Sequence, residues 1–564
     1  MLMRIFFNVI IILLVFTNII AEAPEPVRGK NGMVVSAHSL ASEVGVNILK
    51  SGGNAVDAAV AVGFALAVVH PSAGNLGGGG FMVIHQKDGT QTTFDYREKA
   101  PASTHKNIYL DENGKYDPKL STQGWSASGV PGSVAGMLAA LNKYGTMSIE
   151  EIIEPAIQLA ERGFIMDYRM VDFVNAYNKR FNQYSSSKKI FTKNGEKFNE
   201  GDKLTQKDLA ETLKRIKGRG REGFYEGQTA ELIAEQAKEN GGYISLEDLK
   251  NYYPVEREPV KGNYRGYEIV SMAPPSSGGI ALIQTLNILE NFDIKKNDWG
   301  SSNFVHRFVE ALKYVYADRS EHLGDEDFYP VPKKWLTSKE YAEEIFEGII
   351  EEAVASEKIK PGIDPNLKKE SLETTHYSVI DKFGNAVSVT TTINSTFGNK
   401  IVVEGAGFLM NNEMDDFSAK PGEPNQFGLL GSEANSIQPG KRMLSSMTPT
   451  IVLKNGNPFI IIGSPGGSRI ITTVIQVVLN VIDFEMDIQT AINMPRIHHQ
   501  WYPDEIYYEK FVLNNDAINA LNKRGHKFGK ITKIGRAQGI LIDNENKIFW
   551  GAADPRSYGK AIGY

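Results

Sequence analysis

The chain has 564 residues, 41% hydrophobic and 23% charged, enough for several cores or one large layered fold. Its 61 basic and 67 acidic side chains leave a formal charge of −6, which argues against nucleic acid as a main partner. Cysteine is absent, which excludes disulfides, thiolate metal sites and a cysteine nucleophile.

In chain order, Arg4 comes first, then an apolar run from residue 5 to residue 20, then the small residues Ala21 and Ala23. That order predicts a secretory signal over residues 1–23, cut after Ala21 or Ala23, and a periplasmic or secreted protein. The run is shorter than the ~20 residues of a spanning helix, though an uncleaved anchor is the alternative. "HSLASEVGVNILKSGGN" (38–54) has helical spacing, with Ser39 and Ser42 near its start and Gly52-Gly53 as a stop. "NAVDAAVAVGFALAVVHP" (54–71) starts on an Asn cap and is apolar all round, so it predicts a fully buried helix. "NLGGGGFMVIHQKDGTQTTFDYRE" (75–98) reads as a hairpin. Residues 132–250 read as mostly helical, residues 255–279 as strands closing on a Pro-Pro turn, and "NFVHRFVEALKYVYADRSEHL" as a helix.

The stretch from residue 358 to residue 373, "KIKPGIDPNLKKESLE", is polar and without apolar periodicity. After it "TTHYSVI" and "AVSVTTTIN" alternate like strands around a turn. "MTPTIVLKNGNPFIIIGSPGG" (447–467) is a hairpin around Asn-Gly, backed by the helix "SRIITTVIQVVLNVID". Strands and helices on both sides of residue 374 suggest sheets inside helical layers, an α/β fold to which both halves contribute.

A threonine hydroxyl is a weak nucleophile without a base beside it. If the Glu373–Thr374 bond is cut, Thr374 carries a free α-amine of pKa ~7.7–8.0, able to act as base for its own hydroxyl. The plain alternative is an ordinary pair of strand threonines. "GSPGGSR" (463–469) places Gly466 and Gly467 between strand and helix, where backbone N–H groups can cradle an oxyanion, or where the chain simply turns. "NNEMDDFS" (411–418) clusters Glu413, Asp415 and Asp416, suited to an amine or a metal, or to a capped loop. Adjacent His498 and His499 point to opposite sides of a strand, which disfavours a shared metal. Arg97, at a strand end, suits a carboxylate; a surface ion pair is the alternative.

In order, "TTHYSVIDKFGNAVSVTTTIN", "GFLMNNEMDDFS", "LSSMTPT" and "GSPGGSRIITTV" resemble the gamma-glutamyltranspeptidase family. The likeness continues upstream in "GGNAVDAAVAV", "GNLGGGGFMVIH", "DYREKAP" and "SGVPGSVAGM". The resemblance implies an N-terminal-nucleophile hydrolase with a four-layer αββα sandwich. One precursor would cut itself into a large subunit, residues 24–373, and a small subunit, residues 374–564, that share the fold. It implies Thr374 as processing residue and nucleophile, Thr392 as a second threonine near it, and Gly466 and Gly467 as the oxyanion hole. Arg97, Ser445 and Ser446 would hold the substrate α-carboxylate; Asn394, Glu413 and Asp416 would surround its α-amine. The implied partners are glutathione and other γ-glutamyl compounds, with water, amino acids or dipeptides as acceptors; no cofactor and no metal is implied.

Residues 421–440 match a lid over the pocket, and Phe427 stands where bacterial members carry a tyrosine. Without that hydroxyl the lid is expected to close by apolar contact, favouring hydrolysis over transfer. Two other readings remain at this point: an acylase for glutaryl antibiotics, which would lack the amine-binding acids, and a non-catalytic binder of glutamyl compounds that never matures.

Overall fold

The computed structural model describes residues 24–295, 298–362, 375–420, 426 and 433–564. The expected signal segment, Thr374 and Phe427 lie outside the described residues.

Two seven-stranded sheets form the centre. One runs, edge to edge, Val27–Gly29, Ile548–Ala553, Gln538–Asp543, Asn457–Gly463, Thr450–Lys454, Tyr267–Ser271, Val260–Tyr264. The other runs Lys560–Gly563, Gly32–Ser36, Thr375–Asp381, Ala386–Thr392, Gly79–His85, Gln91–Asp95, Val255–Arg257. Both sheets are therefore built from strands that come from before and after residue 374. Thr375–Asp381 sits inside its sheet, antiparallel to Gly32–Ser36 on one side and Ala386–Thr392 on the other.

Side-chain alternation along the strands divides the interior into layers. Met33, Val35, Phe81 and Val83 meet Val270, Ile451, Ile461 and Ile540 from the opposite sheet. The intervening Val34, Met82 and Ile84 face outward, into a core with helices Ser39–Lys50 and Ala55–Val69. On the far side Ile269, Val452, Ile460 and Ile462 pack under helices Gly278–Glu290 and Arg469–Ile482. The order of layers is helix, sheet, sheet, helix, the αββα arrangement expected from the sequence.

The helix Ala55–Val69 is buried along its whole length, as its composition requires, and Asn54 caps it. Asn54 Oδ1 accepts from the N–H of Val56 and Asp57, and Asp57 Oδ2 accepts in return from Asn54 N–H at 2.8 Å. The preceding helix starts at Ser39, as its sequence suggests. Its cap is His38, whose Nδ1 accepts from Leu40 N–H, while Ser42 turns away to Ser36 and to the Lys560 carbonyl. The Asn-Gly hairpin is as read: Asn455 and Gly456 both have positive φ, 53° and 78°, which suits the twist of a two-residue turn. No helix of the described residues is long and apolar enough to cross a membrane.

Asp57 joins three segments, because it also accepts from Thr146 N–H, Thr146 Oγ1 and Met147 N–H at 2.6–3.1 Å. Asp57→Ala leaves these buried donors unpaired and should cost about 3 kcal/mol. The check is the denaturant midpoint, which should fall; an unchanged midpoint contradicts this account of the layer's anchoring.

Candidate active site

The strand Gln91–Asp95 delivers Arg97 into the interior, where it is fully buried rather than on the surface. The backbone fixes it there: Arg97 N–H donates to Asp95 Oδ1, and Tyr252 Oη donates to the Arg97 carbonyl. Its guanidinium then does two things. Nη1 lies 2.7 Å from Glu413 Oε2 and 3.5 Å from Glu98 Oε2, and Nη2 pairs with Asp416. Nε donates to the Met443 carbonyl and Nη2 to that of Leu444, both at 3.2 Å, holding the chain that leads into Ser445 and Ser446.

Glu98, Glu413 and Asp416 are all fully buried, so three carboxylates face one guanidinium. Burial, and then Glu413, push the carboxyls of Glu98 and Asp416 well above the usual range; burial raises Glu413 as well. Burial works against the Arg97 charge, but Glu413, Asp416 and Glu98 outweigh it and hold the proton more firmly than usual. The cage carries an excess of acceptors over cations. Among the described residues, Asp416 Oδ1 and Asn394 Oδ1 are buried acceptors without a hydrogen-bond partner. Each such group costs about 1–3 kcal/mol until a donor arrives.

Asn394 is held in a left-handed conformation, φ 64°, by bonds at both ends. Its N–H donates to Thr392 Oγ1 at 2.7 Å, and its Nδ2 donates to the Asn412 carbonyl at 2.9 Å. Thr392 Oγ1 in turn donates to Glu413 Oε1 at 2.8 Å. One chain of bonds thus joins Thr392, Asn394, Glu413 and Arg97.

Ser445 and Ser446 are buried beside this cage. Ser446 is oriented by Arg319, on the helix Ser302–His322, whose Nη2 donates to Ser446 Oγ at 2.8 Å and whose Nε donates to Ser277 Oγ at 3.0 Å. Ser277 donates in turn to the Ser445 carbonyl. Gly466 and Gly467 follow the strand Asn457–Gly463 with φ of 137° and 64°, which L side chains rarely adopt. Among the described residues, neither of their N–H groups has an acceptor. Gly466 shares with Thr375 and Asn394 a cavity of about 350 Å³, also lined by Arg469, Lys533, Arg536 and Arg556.

The histidines have structural tasks. His376 bonds Thr390 Oγ1 and Ser378 Oγ, and burial lowers it to about 3, so it is neutral. His498 and His499 take separate partners, Thr472 and Gln500 for one and Asp504 for the other. Among the described residues, one buried group of ligand types, His306, Glu310 and His526, comes together without any sequence motif. There the imidazoles bond each other at 2.8 Å, and Lys313 sits 2.8 Å from Glu310.

Sequence reasoning missed Glu98 and Arg319. Glu98 stands next to Arg97 in "DYREKAP", but only burial reveals its role. Arg319 carries no local signal, since helix Ser302–His322 reaches Ser446 only through the fold.

Paired central sheets between helical layers, with a polar cage at the start of an inner strand, define a hydrolase of the N-terminal-nucleophile kind. The gamma-glutamyltranspeptidase family model matches residues 41–564, and the chain belongs to that family. A glutathione hydrolase proenzyme of Escherichia coli (strain K12) is 51% identical over 94% of this chain and 91% of its own length. The crystal structure of cephalosporin acylase from Bacillus halodurans matches with a TM-score of 0.87 at 28% identity, over 97% of this chain and 98% of its own. A crystal structure of Helicobacter pylori gamma-glutamyltranspeptidase matches with a TM-score of 0.58 at 50% identity, over 61% of this chain and 98% of its own.

The surplus acid in the cage has a measurable consequence. A carboxyl whose pKa is higher folded than unfolded binds more protons in the native state, so stability falls as pH rises from its unfolded value, ~4.3 for Glu, towards its raised folded value. Glu98 is of this kind. Glu98→Gln should therefore raise the melting temperature at pH 7–8 and flatten its decline with rising pH. A lower melting temperature across that range contradicts the surplus.

Proposed function

We propose that the chain is a gamma-glutamyl hydrolase and acyltransferase acting on glutathione and related γ-glutamyl compounds, matured by cleavage at Glu373–Thr374. One observation carries this most directly: a buried guanidinium sits beside two buried acceptors that lack donors. A γ-glutamyl group bears a carboxylate and an ammonium on one carbon, and needs a cationic or hydroxyl holder on one side and acidic acceptors on the other. Arg97, Ser445 and Ser446 supply the first; Asn394, Glu413 and Asp416 supply the second. A glutaryl head has no ammonium to meet these acceptors, which favours the amino-acid substrate over the glutaryl acylase reading.

After cleavage the new α-amine of Thr374 takes the proton from its own Oγ, which attacks the γ-carbonyl carbon. The oxyanion is received by the N–H groups of Gly466 and Gly467. The C–N bond then breaks, the proton passes to the leaving amine, and a γ-glutamyl ester remains on Thr374. Water or an amine repeats the sequence in reverse and frees the enzyme. The large subunit, residues 24–373, and the small subunit, residues 374–564, stay joined because each contributes strands to both sheets. The share of this chain matched by the Helicobacter pylori structure, 61%, is close to that of the proposed large subunit. The signal-like residues 1–23 support export to the periplasm or beyond.

Thr374→Ala should give one uncut, inactive chain on a denaturing gel, where the wild type gives two. If the variant is still cut before residue 374, another group performs the cleavage. Asp416→Ala should reduce the specificity constant for a γ-glutamyl anilide by at least about ten-fold, the loss of one charge-assisted bond; an unchanged constant removes Asp416 from the site.

A further inference from the structure

The helix Ser302–His322 sends two buried side chains, one turn apart, to the two halves of the site. Arg319 reaches Ser446. Tyr316 reaches the chain just past the two glycines, its Oη donating to the Ser468 carbonyl at 2.5 Å.

Ser468 departs from the ordinary behaviour of its position. It stands at the head of the helix Arg469–Ile482, where a serine hydroxyl commonly caps the first turn, yet it makes no such bond. Its Oγ donates instead to Gln500 Oε1 at 2.6 Å. The Gln500 amide is oriented by its other end, Nε2 donating to the Tyr502 carbonyl at 3.1 Å. Oε1 can only accept, so His498 Nε2, 2.9 Å away, carries a proton, and His498 Nδ1 accepts from Thr472 Oγ1. Burial lowers His498 to about 3, so the ring is neutral. It packs edge-on against Tyr316, the ring centroids 6.0 Å apart. The glutamyl cage uses none of this network.

The glycines explain why a brace is needed. Their φ values of 137° and 64° suit glycine, but glycine has no side chain to hold the backbone there. A peptide unit is planar, so a bond at its carbonyl also aims its N–H. The Pro465 carbonyl accepts from Ser464 Oγ at 2.7 Å, which aims the Gly466 N–H. The Gly466 carbonyl accepts from Arg469 N–H at 3.2 Å, which aims the Gly467 N–H. Arg469 N–H shares its own plane with the Ser468 carbonyl, the group that Tyr316 holds. The hydroxyl of Tyr316 is thus linked to the Gly467 N–H through two peptide planes and one hydrogen bond.

Resting on the γ-glutamyl reading above, in which these N–H groups receive the oxyanion, we infer that Tyr316 is a positioning residue for the oxyanion hole, supported by Gln500 through Ser468. A donor that must meet charge developing in the transition state is effective only when it is aimed beforehand.

The test uses Tyr316→Phe, which keeps the ring and loses the hydroxyl, and Ser468→Ala, which loses the bond to Gln500. With a γ-glutamyl anilide, and rates counted per cleaved chain, Tyr316→Phe should lower kcat by about ten-fold or more, the scale of a displaced oxyanion donor. Ser468→Ala should act in the same direction by about three-fold or more, and decides the matter if Tyr316→Phe does not fold. KM and competition by L-glutamate should stay within about two-fold, because the cage is untouched. The probe for the hole is the analogue of glutamate with a boronic acid in place of the γ-carboxyl, whose boron takes the Thr374 Oγ and becomes tetrahedral. Its affinity should fall in step with kcat/KM. A lower melting temperature with kcat and boronate affinity intact shows a merely structural bond and overturns the proposal. So does a loss shared equally by L-glutamate. If the wild type does not turn over the anilide, the γ-glutamyl reading itself fails, a result distinct from wild-type activity that the variants leave unmoved.

Discussion

The arrangement depends on one buried guanidinium. Arg97 is fully buried, and its charge is balanced by Glu413 and Asp416, which face it directly, and by Glu98, which lies close. Glu98 is its neighbour in the chain, whereas Glu413 and Asp416 come from a loop more than 300 residues further along, and the chain before Ser445 is tied to the same side chain. Removing the arginine would leave three carboxyl groups buried together. On the proposed reading, the same interaction that organises the interior would also organise the recognition of an α-amino acid. It also leaves three buried acid groups around one guanidinium, each with its pKa raised by burial.

The sheets explain how a cut chain keeps this geometry. Thr375–Asp381 is flanked on both sides, so its register is fixed by Gly32–Ser36 and Ala386–Thr392 together. A one-residue slip would move Val379 from the helical core to the inter-sheet core and bring Ile380 the other way. A break before this strand frees a chain end without removing any strand from either sheet. Self-cleavage and structural integrity are compatible for that reason.

Much of this was legible in the sequence, for identifiable causes. The helix Ala55–Val69 and the hairpin around Asn455-Gly456 are dictated locally, by apolar composition, an Asn cap and residues that accept positive φ. The layered class followed from strands on both sides of a polar linker. The grouping of Arg97, Glu413, Asp416, Ser445 and Ser446 rested on resemblance to a family, because nothing within any one segment brings them together. Long-range placement defeated local reading elsewhere. Arg319 orients Ser446 across the fold, Glu98 becomes a buried third acid, and the cations of the cavity come from three separate segments. The cap by His38 is a smaller case, and Ser42 bonds the Lys560 carbonyl, from the other end of the chain.

The central claim is that the Arg97 cage reads both charges of an α-amino acid at once. Competition against hydrolysis of a γ-glutamyl anilide tests it with three small molecules: L-glutamate, glutarate, which lacks the ammonium, and 4-aminobutyrate, which lacks the α-carboxylate. The account predicts that L-glutamate competes and that each of the other two is weaker by about ten-fold or more, the worth of one lost charge-assisted contact. Glutarate competing as well as L-glutamate would contradict it, because the unpaired acceptors of Asp416 and Asn394 would then have no part in binding.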